Sequence, residues 1–529
     1  MTGTGSGERV RTTEIVAALS LAIDYGMGRP LEQGMQAAVI AARLARAIGV
    51  DAETERAAWL TALLLHVTCT TDAHVGARVM APGATPTHID PILFGSAGEQ
   101  LRGAYRALGV GHPNPIERTV HRATEMTRWA RTRTGHFTAV CEVGPMLSAR
   151  LGLPAAVADG LAMVTERWDG NGLPHRRSAE DLPVSLRIAH VAVDSGFQSL
   201  TRSIDEVADV VRRREGAAFD PVVTGAFLGD PGAFLAREPD SFDREVVDRE
   251  PRPHLELADE GLDDALAAFG DFADLAAPCL AGHSSRVSRL AARAAALAGY
   301  GAADVTRVRR AGSVHDIGAV TVWADVWDKP EPLGRDDLEQ VRLHPYHTQQ
   351  VLGSSPFLAT LDPIASHHHE AMDGSGYHRG ESGDAIPPLA RMLAAADAFR
   401  LRAEPRHDRP GMTPEESARE LRRDAAAGRL DAECVTAVLE AAGEPIGDVP
   451  RPAGLTRREV QVVARLARGE ATKQIARDLG IAVKTADRHV QNAYAKMGVS
   501  SRPAATLFAM QHGLMAWGEL PIETSPARS

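Results

Sequence analysis

A mainly α-helical fold in three parts is what this sequence predicts, and three observations carry the prediction. Stretches rich in alanine and leucine repeat with helical spacing, as in Gln36 to Ile48, Val287 to Leu297 and Val460 to Leu466, while strand-like alternation is rare. A chain of 529 residues is too long for one hydrophobic core and suggests about three domains at roughly 150 residues each. Two segments resist helix formation: Arg237 to Arg252, dense in charge with prolines, and GEPIGDVPRPAG, Gly443 to Gly454. The expected domains are therefore 10–236, 262–445 and 454–517, joined by linkers at 237–261 and 446–453.

With 44% hydrophobic and 24% charged residues the composition is that of a soluble protein. The opening MTGTGSGERVRTTE lacks the apolar core of a secretory signal, and no later apolar run is long enough to span a bilayer. The expected location is the cytoplasm, with no membrane partner. Four scattered cysteines, Cys69, Cys141, Cys279 and Cys434, form no CxxC pair, so neither a disulfide framework nor a zinc knuckle is indicated.

The last part is basic. Residues 452–516 hold ten Lys or Arg against four Asp or Glu, a local charge of +6, so the remainder must carry −17 to give the chain's net −11. Thr456, followed three residues later by Glu459, has the spacing of a capping box that starts a helix. A second helix, Thr472 to Leu479, stops at Gly480, and a third begins near Val483. Such a pair makes a helix-turn-helix whose second helix fits a DNA major groove. Helical spacing turns Val483, Ala486, Val490, Ala493 and Tyr494 inward and Lys484, Arg488, Gln491 and Asn492 outward. Over about sixty residues, LTRRE, KQIARDLGIAVKT, RHVQNAYAKMGV and SSRPAA resemble the LuxR-type helix-turn-helix. The resemblance implies a four-helix module that binds double-stranded DNA as a homodimer. It places Asp487, Arg488 and Gln491 near bases and Lys473, Lys484 and Thr485 near the backbone. Asp487 departs from the basic residue common there; a carboxylate is repelled by phosphates but can accept from a cytosine amino group.

The middle part concentrates imidazole and carboxylate. His283 lies in GHSSRV, His315 and Asp316 in HDIGA, His344 in LHPYH, His368 and His369 in HHHEAMDGSGYH, and Asp397 in LAAADAF. These are ligands for divalent transition metals. An adjacent His-Asp pair serves two metals if the carboxylate bridges them, and two metals roughly 3.5 to 4 Å apart can clamp a phosphate. The ordered series, together with His368-His369-Glu370, Asp373-Gly374-Ser375-Gly376-Tyr377 and Ile386 through Arg391, resembles the HD-GYP family of metal-dependent phosphodiesterases over about residues 262–445.

That resemblance implies two divalent metal ions, iron or manganese, held by His283, His315, Asp316, His344, His368, His369 and Asp397. It puts His315 and Asp316 at the chemistry and Tyr377 and Arg391 at the substrate, a phosphate-containing small molecule such as cyclic di-GMP. His367 is then an extra neighbour. The family's lysine after HDIG is Ala319, which removes a cation that would steady phosphate. The proline of GYP is His378, and Asp-Ala-Leu-Thr has become Arg400-Leu401-Arg402-Ala403. Cys279 stands where three-metal members place a glutamate.

The first part reads as a second copy of the same unit. ERWDGNGLPHRRSAEDLPVSLRIAHVAVD, Glu166 to Asp194, lines up with the stretch from Glu370 to Asp397 with one small length change, an internal repeat. Nearly every ligand is gone from it. Gln33 stands for His283, Leu65 and His66 for His315 and Asp316, Val164 and Thr165 for the histidine pair, and Asp194 falls one residue late. His66, Cys69 and His74 are read as ordinary helix and loop residues. The glycine turn survives in both copies, as backbone conformation requires whatever the chemistry.

No nucleotide-binding P-loop or nucleophile elbow occurs, and no receiver pattern precedes the helix-turn-helix. The whole reads as a transcriptional regulator in which a degenerate helical domain and a metal-retaining phosphodiesterase or sensor domain control a DNA-binding module. Two alternatives stay open: a metal-binding sensor without turnover, and a phosphodiesterase merely localised on DNA.

Overall fold

The computed structural model describes residues 9–28, 31–67, 91–108, 114–237, 246–327, 329, 331–405, 410–443 and 452–515. Helices dominate. Among the described residues the only strands are β1 (Arg9–Arg11) and β2 (Glu256–Ala258), paired antiparallel with Val10 opposite Leu257.

The first copy is built on α1 (Thr12–Gly26), α2 (Gln33–Ile48), α3 (Ala52–Leu64), α4 (Pro115–Arg150) and α5 (Val184–Gln198). The second repeats them as α6 (Asp259–Leu275), α7 (His283–Leu297), α8 (Ala302–Val314), α9 (Arg335–Leu352) and α10 (Pro388–Ala403). The repeat extends to capping. Both α2 and α7 follow a left-handed residue, Glu32 at φ 68° and Gly282 at φ 73°. In both, an aspartate of the preceding helix accepts from the first free amides. Asp24 Oδ2 accepts from Gln33 N at 2.9 Å, and Asp274 Oδ2 from Ser284 N at 3.0 Å. A carboxylate there satisfies orphan donors and suits the positive end of the helix dipole.

The copies are clasped reciprocally. α1 packs on α9 and on the 3-10 turn Ile317–Thr321 of the second copy, while α6 packs on α4 of the first. Gly26 lies so close to Val320 that a Cβ would stand 2.9 Å from its carbonyl oxygen. The segment expected as the first linker is partly structural. Residues 238–245 lie outside the described residues, but Val246 is fully buried and Arg11 bonds both Glu250 and the Val247 carbonyl. Charge density there serves ion pairing that docks β2 beside β1. Of the second linker, 444–451 are likewise outside the described residues, as are Cys69 and His74.

The basic part comprises α11 (Arg457–Ala467), α12 (Thr472–Asp478), α13 (Val483–Met497) and α14 (Arg502–Gln511). Thr456 and Glu459 form the capping box reciprocally. Ala486, Val490 and Ala493 face inward as expected, but Val483 is 49% exposed. As the first residue of α13 its side chain leans back over the preceding turn, away from the core.

This module rests on both copies through α14, which packs against α4 and α6. Glu142 of α4 accepts from Ser500 N (2.8 Å), Ser500 Oγ (2.6 Å) and Ser501 N (3.0 Å), closing the turn before α14. Met515 lies against Gly282: a Cβ there would meet Met515 Cγ at 3.0 Å. Among the described residues no helix is long and apolar enough to cross a membrane.

Candidate metal centre and DNA-binding face

The seven residues expected as ligands converge. His283 opens α7, His315 and Asp316 close α8, and His344 sits within α9. His368 and His369 follow the short helix Asp362–Ala365, and Asp397 lies inside α10. All are buried except His369, which is half-buried.

Backbone carbonyls released from helical bonding aim three of the rings. His315 Nδ1 donates to Gly312 O at 2.9 Å, where α8 ends, and His368 Nδ1 to Ala365 O at 2.6 Å, where its short helix ends. His344 Nδ1 donates to Val341 O inside α9. Pro345 makes that possible: lacking an N–H, it cannot bond the carbonyl four residues back, which is that of Val341. Each bond fixes a tautomer whose Nε2 lone pair faces the cluster. For His283 a side chain does the work. Its Nδ1 lies 2.9 Å from Glu404 Oε2, and Glu404 Oε1 accepts from Arg286 Nε at 3.1 Å and Nη2 at 2.6 Å.

Asp316 stands in the middle. Its Oδ1 is 3.2 Å from His344 Nε2 and 3.3 Å from His368 Nε2, while Oδ2 is 3.6 Å from His283 Nε2 and 3.5 Å from His315 Nε2. Asp397 Oδ1 is 3.0 Å from His283 Nε2 and 3.9 Å from His315 Nε2, and its Oδ2 is 3.7 Å from His369 Nδ1. Three donor groups result, each with ligand atoms within 4.8 Å of one another: His344, His368 and His369; His283, His315 and Asp397; His315, Asp316 and His368. Several spacings exceed a good hydrogen bond yet suit donors that share a cation.

Electrostatics agree. Burial opposes charge on Asp316, but the His315, His344 and His368 imidazoles hold its carboxyl well below the usual range. Asp397 is held down the same way, chiefly by His283 and His315 against its burial. Burial and the neighbouring His368 keep His369 neutral, well below an ordinary imidazole. His283, despite burial, is raised by Glu404 and Asp397, the two carboxylates that flank its ring. Ionised carboxylates and inward imidazole nitrogens fit a divalent transition metal.

The glycine of HDIG has a packing reason. A Cβ on Gly318 would lie 2.0 Å from His344 O, so only glycine lets α9 approach this closely. Thr348 ties the two ligand segments by donating to His315 O (2.9 Å) and accepting from Gly318 N (3.0 Å).

The residues expected at the substrate divide. Tyr377 lies over His369, ring centroids 4.8 Å apart, with the Arg342 guanidinium 5.8 Å from its own ring. Arg391 is engaged elsewhere, bonding Ile386 O, Gly383 O and Asp384, with Asp431 at 3.5 Å. Arg187 makes the same bonds in the first copy, to Leu182 O and Asp220. The arginine that sequence reading gave to the substrate therefore ties down the loop. His367 stays outside the donor groups, bonded by Arg379 and 3.2 Å from Glu381. Ala319 is buried in a small apolar cluster with Ala277, Leu280, Val322, Val326 and Trp327, against which Cys279 packs.

Sequence reading missed Glu404, Arg286 and Thr348. A signal existed for the first two: Glu404 lies seven residues after Asp397 and Arg286 three after His283, each on its ligand's helix face. At the matching places of the first copy nothing comparable assembles. Thr165 Oγ1 donates to Leu173 O at 2.5 Å, His190 Nε2 donates to Val164 O at 3.0 Å, and Asp194 pairs with Arg214.

On the basic module Lys473, Lys484, Asp487, Arg488 and Gln491 are exposed and Thr485 is half-buried. The contacts of α14 leave this face of α13 open, as a groove-binding helix requires.

Residues 268–434 match the HD domain family, and residues 453–509 match the bacterial regulatory proteins of the luxR family. The chain is 28% identical over 448 residues to 3′3′-cGAMP-specific phosphodiesterase 3 of Vibrio cholerae, covering 81% of this chain and 94% of that one. It is 34% identical over 157 residues to the cyclic di-GMP phosphodiesterase response regulator RpfG of Xanthomonas campestris, covering 29% of this chain and 41% of the relative. A solved cyclic GMP-AMP specific phosphodiesterase of V. cholerae shares the fold, with a TM-score of 0.56 at 24% identity, over 83% of this chain and 99% of that one.

Proposed function

From the premise that this chain joins an HD domain to a luxR-family regulatory domain, we propose a cytoplasmic, DNA-bound transcriptional regulator whose metal centre hydrolyses a cyclic dinucleotide or related phosphodiester. One observation carries the reading: the two oxygens of Asp316 face two different sets of imidazoles, so this carboxylate would help to hold two divalent cations. His344, His368 and His369 would hold one and His283, His315 and Asp397 the other. Such a pair, iron or manganese, would supply Lewis acidity at the phosphoryl oxygens and activate water. The chain's own residues do the positioning: carbonyls and Glu404 aim the rings, and Tyr377, beside the half-buried His369, would meet the substrate. The relatives' names, directed at cyclic GMP-AMP and cyclic di-GMP, support this substrate class.

The working units are 10–236, 262–445 and 454–517. Output runs through contact: Met515 touches Gly282, the residue before His283, so ligand occupancy at the start of α7 bears on the seat of α14. A ligand shifts this equilibrium only by its preference for one arrangement. Two modules in a homodimer would read double-stranded DNA with Arg488, Gln491 and Asp487 towards bases and Lys473, Lys484 and Thr485 on the backbone.

The test is hydrolysis of cyclic di-GMP, cyclic GMP-AMP and an aryl phosphodiester by the full chain loaded with iron or manganese, beside Asp316→Ala. The full chain is needed because α1 and β1 pack on the second copy. Metal-dependent turnover lost in the variant supports the reading; stoichiometric metal with no turnover overturns the enzymatic part. Ala319 in its apolar cluster favours that second outcome, a metal-holding sensor, because no lysine there steadies phosphate.

A further inference from the structure

The metal cluster is unevenly covered. His369 keeps 17% of its side-chain surface and Asp316 10%, against 4% or less for the other five ligands. A small molecule resting on the metals therefore meets solvent beside these two residues. Tyr377 lies over the His369 imidazole, ring centroids 4.8 Å apart, and the Arg342 guanidinium is 5.8 Å from the Tyr377 ring, within cation–π range. Burial falls in the same order, for His369 and Tyr377 are half-buried and Arg342 is exposed.

Arg342 is positioned but not used. It lies two residues before His344 on α9, and Tyr346, one turn further on, packs against the His378 ring with centroids 5.7 Å apart. The consecutive loop residues Tyr377 and His378 thus run along the face of α9 that Arg342 and Tyr346 share. Among the described residues no carboxylate or carbonyl engages the Arg342 guanidinium, whereas Arg286 and Arg391 of the same copy are spent on such groups. Ala319 lies in an apolar cluster against which Val341 packs, so on this side positive charge comes from α9 instead of the turn after Asp316.

The first copy argues that neither Arg342 nor Tyr377 is kept for shape. With Pro145 and Pro345, the prolines inside α4 and α9, taken as one position, Arg342 corresponds to Glu142 and His344 to Gly144. In the glycine turn Tyr377 corresponds to Leu173. The turn glycines, Glu370 and Arg391 all have counterparts in the copy without ligands; the guanidinium and the aromatic ring do not. They go with the metal donors, and Glu142 is given to seating the DNA-binding module.

We propose that Arg342 binds the second phosphodiester of a cyclic dinucleotide whose first phosphodiester rests on the metals, an assignment that depends on the reading of the second copy as a cyclic-dinucleotide site. Such a ligand carries two phosphodiesters in one ring. The metals neutralise one, and the other is stabilised by a cation set apart from them. Arg342 stands one aromatic ring away from a metal ligand, and the arginine fork matches phosphate oxygens two at a time. The residue then sets specificity, favouring ligands with two phosphodiesters over those with one.

The test compares Arg342→Ala with the wild type in the full chain loaded with manganese. Binding is read by calorimetry with a phosphorothioate analogue of cyclic di-GMP that resists hydrolysis. Turnover is read with cyclic di-GMP and with bis(p-nitrophenyl) phosphate, which has a single phosphodiester. Expected is a loss of at least about tenfold in affinity for the analogue, the worth of one charged hydrogen bond. The kcat/KM for cyclic di-GMP falls in step, through KM more than kcat, while the aryl phosphodiester and the metal content are unchanged. Arg342→Lys, which keeps the charge, recovers most of the loss. Analogue binding unchanged in Arg342→Ala overturns the proposal and leaves the metal-site reading standing. Equal losses for the dinucleotide and the aryl phosphodiester, or a loss of metal, give Arg342 to the fold and overturn it as well. A wild type that binds no cyclic dinucleotide overturns both the assignment and the reading beneath it. Binding decides the matter whether or not the wild type turns the dinucleotide over.

Discussion

The two helical copies in one chain separate what this fold needs from what its chemistry needs. The loop after the histidine pair is the same in both. Glu370 accepts from Arg379 N and Glu381 N, and Glu166 from His175 N and Arg177 N. Gly374 and Gly170 both sit at positive φ, and Arg391 and Arg187 both tie their loop to the helix that follows. These residues survive where no metal ligand does, so they maintain shape. What differs is the interior of the bundle: seven donors, Asp316 among them, in one copy, and in the other Gln33, Leu65, Val164 and Thr165, with His190 spent on a backbone carbonyl. The motif residues easiest to recognise are therefore the least informative about catalysis.

The largest expected effect breaks the copies apart. Asp316→Ala removes both inward oxygens and should cut phosphodiester turnover by at least about a thousandfold, the scale of losing a group on which the whole constellation depends. Metal content by elemental analysis should fall with it. His66→Ala, the matching position of the first copy, should leave both unchanged. Equal losses in the two variants would mean that the first copy contributes to the chemistry.

The second prediction tests where the copies should behave alike. A Cβ on Gly376 would lie 2.4 Å from Ala371 N, and one on Gly172 2.4 Å from Glu166 Cα. Gly376→Ala and Gly172→Ala should each destabilise by about 1–3 kcal/mol, the range for overpacking. Thermal melts of the two variants should agree, and a loss confined to Gly376→Ala would give that turn a catalytic role after all.

Much of this was legible in the sequence, for physical reasons. Helical spacing gave the mainly α fold, and the capping-box pair Thr456 and Glu459 marked the start of α11. The seven donors could be read because imidazole and carboxylate in a buried, alanine-rich setting have few other uses. Legibility failed where a side chain's partner is set by packing. Arg391 looks like a substrate cation until its helix places it over Ile386 and Asp384. Val483 fits the apolar stripe of α13 but sits at its open end. The charged stretch near Arg252 reads as a linker, since nothing local reveals that Arg11 waits for Glu250. The loops also proved equal in length as far as Pro183 and Pro387, so Asp194 falls at the place of Ala398, where it pairs with Arg214.

Glu404 sharpens the comparison one step out from the ligands. Burial disfavours its charge, yet His283 and Arg286 draw its carboxyl down to about 2, so it stays ionised and holds the His283 ring. Glu404→Gln keeps the shape, loses the charge and should weaken metal affinity by roughly 10–100-fold, the usual cost of removing a partner that orients a ligand. Competition with a chelator measures this. An unchanged affinity would demote Glu404 to packing.

The smallest effect concerns His190, a buried imidazole that the first copy keeps for structure. His190 is 1% exposed, and burial lowers it to about 4, against the bond to the Val164 carbonyl that pulls the other way. In the unfolded chain it protonates near 6.5. The unfolded state thus binds more protons between those values, and stability falls as pH drops through the window. Between pH 7.5 and 5.5 the loss from this residue comes to about 1 kcal/mol. Other groups titrate in the same range, the second copy's imidazoles among them, so the informative quantity is the difference from His190→Gln, which keeps a donor for Val164 O and does not titrate. Denaturant unfolding should show the wild type losing about 1 kcal/mol relative to the variant over that interval. A constant difference would mean that His190 charges freely in the folded protein, and the imidazole of the first copy would then be an accessible group rather than a core donor.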